Sequence, residues 1–338
     1  MNRLGNDTRQ NALSKSFYHF RGIIIRSLRE DIEVRHSRNG DVLVAGIISL
    51  LLADAHQGAS ANWRQHLKGV HSLVTVRGGI RALSGTKSLD QLLLCFMFVA
   101  ILGNTTSPAS SLAMTGSHLE DLDIIVNHYG QRLFSFQMCP PKLFAELIKI
   151  NHLRMRAMES GHAEAECHTQ EACNILDRIH IFSPKEWSES KPCSREGWML
   201  VGKIYQAAVS LYCILSLQSL SILPLTSEMS AKCAEHGRLL QEQLDSAMSS
   251  PGTKYSMIWP LVLLGVQAAN GDAAMQAFVS EKLPELSYYI GSNVPTVAKA
   301  VLERFWASGE TRWDACFDRP YAFVTQIAVD MSQLVQEG

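Results

Sequence analysis

No unbroken apolar run in this sequence is long enough to cross a bilayer. Its longest hydrophobic runs, residues 42–53 and 92–103, cover about 12 positions each, against the ~18 that a membrane helix requires. They read as buried helices. An excess of charge is lacking too: 31 Lys and Arg face 32 Asp and Glu, so no global field draws the chain to nucleic acid or to an anionic membrane. Any such contact has to be local. The eight cysteines begin only at Cys95 and follow no spaced framework, which excludes a disulfide scaffold and fits reduced, mostly buried thiols. The first ten residues lack the apolar core of a secretion signal, so an intracellular protein is expected. Strand patterning is the last absence. Nowhere does period-two alternation outweigh the helical period, and no internal repeat is visible.

What is present is enough apolar material, 46% of 338 residues, to bury a sizeable core. Residues 1–14 read as a polar N-terminal tail. A helical stripe then begins with Phe17, Phe20, Ile24, Leu28 and Ile32. Its other face carries Arg21, Arg26, Arg29, Arg35 and Arg38, partly offset by Glu30, Asp31 and Glu33; without interleaved aromatics it reads as a solvated face. Beyond the turn at Asn39, Gly40 and Asp41, residues 42–56 are apolar around the whole helical circumference and belong at the centre. Further helices are expected over 89–102, 141–156, 198–220, 230–248, 257–269, 273–290, 294–307 and 322–334. The Ser-, Thr-, Pro- and Gly-rich stretch 104–117 reads as a loop, and Ser117 with Glu120 and Ser183 with Glu186 have capping-box spacing. The expectation is one all-α domain over 15–338, a multi-helix body packed around a central set of apolar helices.

The most informative stretch is Trp-Arg-Gln-His-Leu-Lys-Gly-Val-His-Ser-Leu-Val-Thr-Val-Arg-Gly-Gly, residues 63–79. Trp63, His66, Leu67, Val70, Leu73, Val74 and Arg77 fall at offsets of three and four and share one helical stripe, while Arg64, Gln65, Lys68 and Ser72 face water. Gly78 and Gly79 can take the left-handed backbone that ends a helix, and Arg77 places a cation at its last turn. The set Trp63, His66, Leu67, Gly69, Arg77, Gly78 and Gly79 resembles the signature of the regulatory domain in fungal-specific transcription factors. Later stretches are similar to the same family in the same order. Residues 141–153 look like its central helix, 203–220 like its Tyr- and Ala-rich helix, Trp259-Pro260-Leu261 like its Trp-Pro-Leu segment, and 301–313 like its closing part. The resemblance covers about residues 17 to 325, and the order of the motifs carries it.

The resemblance implies a nuclear transcriptional regulator of metabolic or secondary-metabolite genes. Its partners would be other transcription factors or a second copy of the chain. Family members usually carry a binuclear zinc cluster of six bunched N-terminal cysteines. Here no cysteine precedes Cys95, so DNA contact is expected only indirectly, in trans, or through a zinc cluster outside these residues.

Other chemistry was weighed residue by residue. His162, Cys167, His168, Cys173 and His180 include zinc's preferred donors but lack C-x-x-C or H-x-x-x-H spacing, so no metal site is expected. Residues 79–88 imitate a phosphate loop, but the second glycine is one place late and no lysine follows it; they read as an interhelical turn. Asp121, Asp123 and His128 have no second acidic cluster to complete the magnesium site of an all-α metal-dependent enzyme, and read as acids at a helix start. With no zincin or nucleophile-elbow motif either, no catalytic residue, cofactor or enzymatic role is expected. His66 reads as a packed histidine with its ring nitrogens hydrogen-bonded. The last third is rich in aromatics, and Pro260 must start or kink its helix; Trp259, Pro260, Trp306 and Trp313 are the candidate lining of a pocket for a small apolar effector. A small-molecule-binding helical protein without a transcriptional role is the alternative from a different class.

Overall fold

The computed structural model describes residues 22–23, 25–26, 40–58, 60, 62–86, 89–131, 139–160, 164–191, 194–270 and 272–324. Among them the regular structure is helical throughout, with sixteen α-helices and no strand, as the missing period-two pattern requires. In chain order these are α1 (Gly40–His56), α2 (Trp63–Val76), α3 (Gly79–Leu83), α4 (Asp90–Thr105), α5 (Thr115–Glu120), α6 (Leu122–Gln131), α7 (Pro141–Ser160) and α8 (Ala165–Ile181). There follow α9 (Pro184–Glu189), α10 (Arg195–Ser219), α11 (Ser227–Met248), α12 (Pro251–Lys254), α13 (Ile258–Gln267), α14 (Ala273–Ile290), α15 (Val294–Ser308) and α16 (Trp313–Cys316). By contacts the chain divides into two compact units, one of Met1–Ala53, Asn62–Leu93 and Val329–Gly338, the other of Asp54–Ala61 and Leu94–Ala328.

In the first unit, α2 buries Trp63, Leu67, Val70 and Val74, a stripe at offsets of four, three and four that places one face of the helix inside. The helix stops where the two glycines stand: Gly78 and Gly79 have φ of 93° and 85°, which a side chain would strain, and the short α3 starts from them. The interhelical turn expected over 79–88 therefore contains one turn and more of helix before Ser84.

The second unit is organised on α10, the longest helix among the described residues. It packs against α7, α8, α9, α11, α13 and α16. Among the described residues α10 alone is long and apolar enough to cross a membrane, but 83% of its most apolar stretch is buried by protein, as befits a core helix. Beside it α13 has all ten residues buried. Pro260 is the third residue of α13, where the missing N–H costs nothing, so the proline starts the helix instead of kinking it. A Cβ at Gly265 would come within 2.4 Å of Leu302 on α15, so glycine is what lets these two helices approach. Helix starts are satisfied locally: the side chains of Ser183, Thr226 and Asp272 accept from the backbone N–H of Glu186, Met229 and Met275.

Three expectations change. Ser117 lies inside α5, whose N-cap is Met114, so it forms no capping box with Glu120; the stretch breaks into two short helices at Asp121. The polar stretch from Asn104 is no surface loop: Asn104, Thr105, Thr106 and Ser107 are all fully buried. Residues 322–324 are not helical, and the rest of the helix expected over 322–334 lies outside the described residues. So does most of the stripe expected from Phe17 to Ile32, of which residues 22, 23, 25 and 26 are helical.

Candidate functional site

The signature residues of the first unit act on the backbone and the core. Trp63 and Leu67 are buried, with the Arg64 guanidinium 5.3 Å from the Trp63 ring centre. His66 is half-buried. Gly69 faces α1, where a Cβ would lie 3.8 Å from Ile47. Arg77 pairs with Asp41 in the first turn of α1, and its guanidinium covers Gly40. The cation therefore serves a neighbouring helix start as well as the end of its own. That pairing crosses 36 positions of sequence and could not be read from the helix pattern.

In the second unit the sequence conceals a polar centre. Leu143, Leu147 and Ile150 run along the buried face of α7, and the same face continues into Asn151 and Arg154. Arg154 is completely buried. Its Nη1 donates to the Asn104 carbonyl at 3.2 Å and to the Tyr212 hydroxyl at 3.0 Å; its Nη2 donates to the Ser107 carbonyl at 3.0 Å and to Asp314 Oδ1 at 2.9 Å. Burial opposes the charge, but Tyr212 and Asp314 outweigh it and hold the guanidinium above its ordinary pKa. Tyr212 in turn donates to Asn151 Oδ1 at 2.5 Å, and burial pushes its phenol up to about 12, so it remains a neutral donor. Asn151 donates to the Ile101 carbonyl at 3.0 Å, and Asp314 Oδ1 also accepts from the Ala109 N–H at 2.7 Å. One fork of donors thus ties α7, α10, α16 and the buried 104–109 stretch together, using the planar geometry that only arginine offers.

Of the four residues expected to line an effector pocket, two stand at this centre. Trp259 and Trp313 both pack on the Tyr212 ring, with centroids 6.4 and 5.1 Å away. Trp259 also donates to Thr105 Oγ1 at 2.8 Å. Trp306 stands apart from this ring cluster and donates to the Gly265 carbonyl at 2.8 Å, on the tight α13–α15 crossing. Pro260 is buried in the first turn of α13. The open space next to Trp259 is about 10 Å³, the room of one water molecule. Hydrogen bonds hold Trp259 and Trp306, whereas the buried Nε1 of Trp313 has no hydrogen-bond partner.

Space of ligand size lies elsewhere in the same unit, in a cleft of about 500 Å³ between α8, α10 and α11. Its floor is Ala207, Ser210 and Ile214 of α10, all buried. Leu176 of α8 and Met229 and Leu239 of α11 form apolar walls. On α11 the lining residues Met229, Lys232, His236, Leu239 and Gln243 recur at offsets of three and four, one continuous face of the helix. Gln206 sets one wall: its amide donates to the Ile179 and Phe182 carbonyls, both at 2.9 Å, capping the end of α8 against α10. Burial lowers the His236 pKa from the ordinary histidine value, with His180 and Lys232 adding to that and Glu235 opposing it. Sequence reading passed over this cleft because its residues, taken helix by helix, look like ordinary amphipathic faces.

The histidines and cysteines considered for a metal spread around α8. His168 is buried, Cys167 and His180 are exposed and Cys173 is half-buried, while His162 lies outside the described residues. Among the described residues no three His, Cys, Asp or Glu side chains are grouped to hold a metal ion. Asp123 lies in the first turn of α6, where an acid favours the helix dipole.

Comparison with known proteins adds identity to this geometry. The profile described as a fungal specific transcription factor domain matches residues 3–320. The phomenoic acid biosynthesis cluster-specific transcriptional regulator of Leptosphaeria maculans is 48% identical over 337 residues, which cover 99% of this chain and 65% of that relative. The chain therefore spans just under two thirds of the length of the curated relative it matches. No solved structure matches it. The ordered motifs from Trp63 to Trp313, the all-α architecture and a profile match over nearly the whole chain agree, and the chain belongs to the fungal-specific transcription factor domain family.

Proposed function

We propose that this chain is the regulatory body of a nuclear transcriptional regulator that controls a secondary-metabolite gene cluster. It acts by binding, not by catalysis. The observation that carries the reading is the 48% identity to a cluster-specific regulator, sustained over 99% of the chain. Contact with DNA is supplied by a partner protein or by a zinc cluster outside these residues, since no cysteine precedes Cys95 and the balanced net charge gives no global field toward nucleic acid. Other transcription factors or a second copy of the chain are its protein partners.

Deleting the gene and sequencing the transcripts tests this, together with microscopy of a fluorescent fusion. The reading expects a nuclear signal and a collapse of transcripts from a contiguous set of biosynthetic genes. A cytosolic signal with an unchanged transcriptome would overturn it and favour a small-molecule-binding protein without a transcriptional role.

A further inference from the structure

We propose that the cleft between α8, α10 and α11 is a binding site for a neutral, largely aliphatic molecule that carries hydroxyl groups. The inference deepens the regulatory reading and rests on it only for the biological meaning of the ligand.

Size and shape come first. About 500 Å³ falls within the ~300–1,000 Å³ typical of small-molecule sites. The space exists because α10 presents Ala207 and Ser210 where larger side chains would fill it, while Gln206 holds α8 in place. Leu176, Ala207, Ile214, Met229 and Leu239 supply the apolar part of a mixed lining, which suits a chain or ring of methylenes. Met229 adds an adaptable side chain at one end.

Polarity then narrows the class. At the far end of the α11 stripe, Gln243 Oε1 is enclosed and has no hydrogen-bond partner. An unpaired amide in such a place costs about 1–3 kcal/mol until something pairs with it. Whichever way the amide is turned, it offers a donor or an acceptor, and a hydroxyl matches both. The same holds for a neutral His236 imidazole, two turns earlier on the same face. Ser210 is already committed to the Gln206 carbonyl at 2.9 Å and does not compete.

The rim argues against a charged ligand. Asp177 and Glu235 oppose Lys203 and Lys232, so the formal charges cancel, and Lys232 is further engaged by Glu228 at 2.8 Å. A carboxylate or an ammonium would find no surplus counter-charge. It would also have to desolvate against the apolar floor.

The test uses the 338-residue chain labelled with ¹³C at its methionine methyl groups, titrated with 1,10-decanediol and separately with decanoate. The expected result is a saturable shift of the Met229 methyl signal with the diol, no shift of the surface residue Met158, and weaker or absent binding of decanoate. Gln243→Leu should weaken diol binding about tenfold, the loss of one neutral hydrogen bond. Ala207→Leu, which fills the floor, should abolish it. Should Ala207→Leu fail to fold, the wild-type titration and Gln243→Leu decide the question by themselves. A Met229 signal that ignores the diol, or a tighter complex with decanoate, overturns the proposal. Binding is read without transcription, so a silent titration beside a collapsed gene cluster in the deletion strain rejects the site alone. A saturable titration beside an unchanged transcriptome rejects the regulatory reading alone.

Discussion

Two stretches of α10, little more than a turn apart, are built to opposite ends. At Tyr212 the helix enters a buried polar centre in which Arg154 is held by Tyr212 and Asp314, and Tyr212 by Asn151, while Arg154 Nε and Asp314 Oδ2 have no hydrogen-bond partner. At Ala207 and Ser210 it leaves a cleft of about 500 Å³ lined also by Gln243, whose Oε1 has no hydrogen-bond partner. The difference teaches where the domain is fixed and where it can respond. A buried charge is costly to strand, and the four directed hydrogen bonds of the Arg154 Nη atoms make the centre resist change. An apolar cleft with one unsatisfied group is stable as it stands and gains by being filled.

The largest expected effect therefore lies at the centre. Arg154→Leu should lower the unfolding free energy by about 3–5 kcal/mol in urea titration, because it strands carbonyls of the 104–107 stretch together with Asp314. Arg154→Lys should recover little of this, since an ammonium cannot reach the four acceptors of a planar fork. Gln243→Leu in the cleft should cost nothing and raise stability by up to about 1–3 kcal/mol, since it removes a buried oxygen without a partner. Equal costs at the two places would erase the comparison. Next comes Gly265→Ala, which drives a methyl into Leu302 and should cost about 1–3 kcal/mol by the same titration.

Smaller effects sharpen the contrast. Asp41 and Arg77 keep 36% and 32% of their side-chain surface exposed, so Arg77→Ala should cost no more than about 1 kcal/mol, and less as salt is added. His236 gives the cleft a pH signature. Burial lowers its pKa in the folded chain, so the unfolded chain takes up the proton first; the stability it contributes is complete above pH 6.5 and is lost as pH falls through the folded value. Wild-type protein should then lose more stability than His236→Asn between neutral and mildly acidic pH, as followed by melting temperature. Least of all, peptide mapping after brief maleimide treatment should find exposed Cys167 labelled long before Cys139 or Cys95, whose thiols burial pushes up, Cys95 to about 12.

How much of this was legible in the sequence depends on the distance over which each feature acts. Helices were readable because their signals are local: the 273–290 stretch shows the helical period in its own residues, and in the structure Asp272 and Gly291 cap it. The family signature was readable for the same reason, as spacing along α2. Arg154 left a trace, a charged residue continuing the stripe of Leu143, Leu147 and Ile150, but its acceptors come from positions 47 to 160 residues away. The buried 104–107 stretch misled because Ser and Thr usually mark surface loops. Here they face the guanidinium and Trp259. Trp259 and Trp313 stood out as aromatics, yet whether an aromatic lines a pocket or fills one is decided by its neighbours. The cleft was invisible, since an empty volume depends on side chains from three helices at once.

The central claim is that α10 separates holding the fold from responding to a ligand. It is tested most directly by replacing the native gene with Ala207→Leu and measuring two quantities, the urea midpoint of the purified protein and the transcripts of the dependent genes. The account predicts a midpoint close to that of wild type and transcript levels that depart from it. Unchanged transcripts, or a midpoint that falls as far as that of Arg154→Leu, would contradict it.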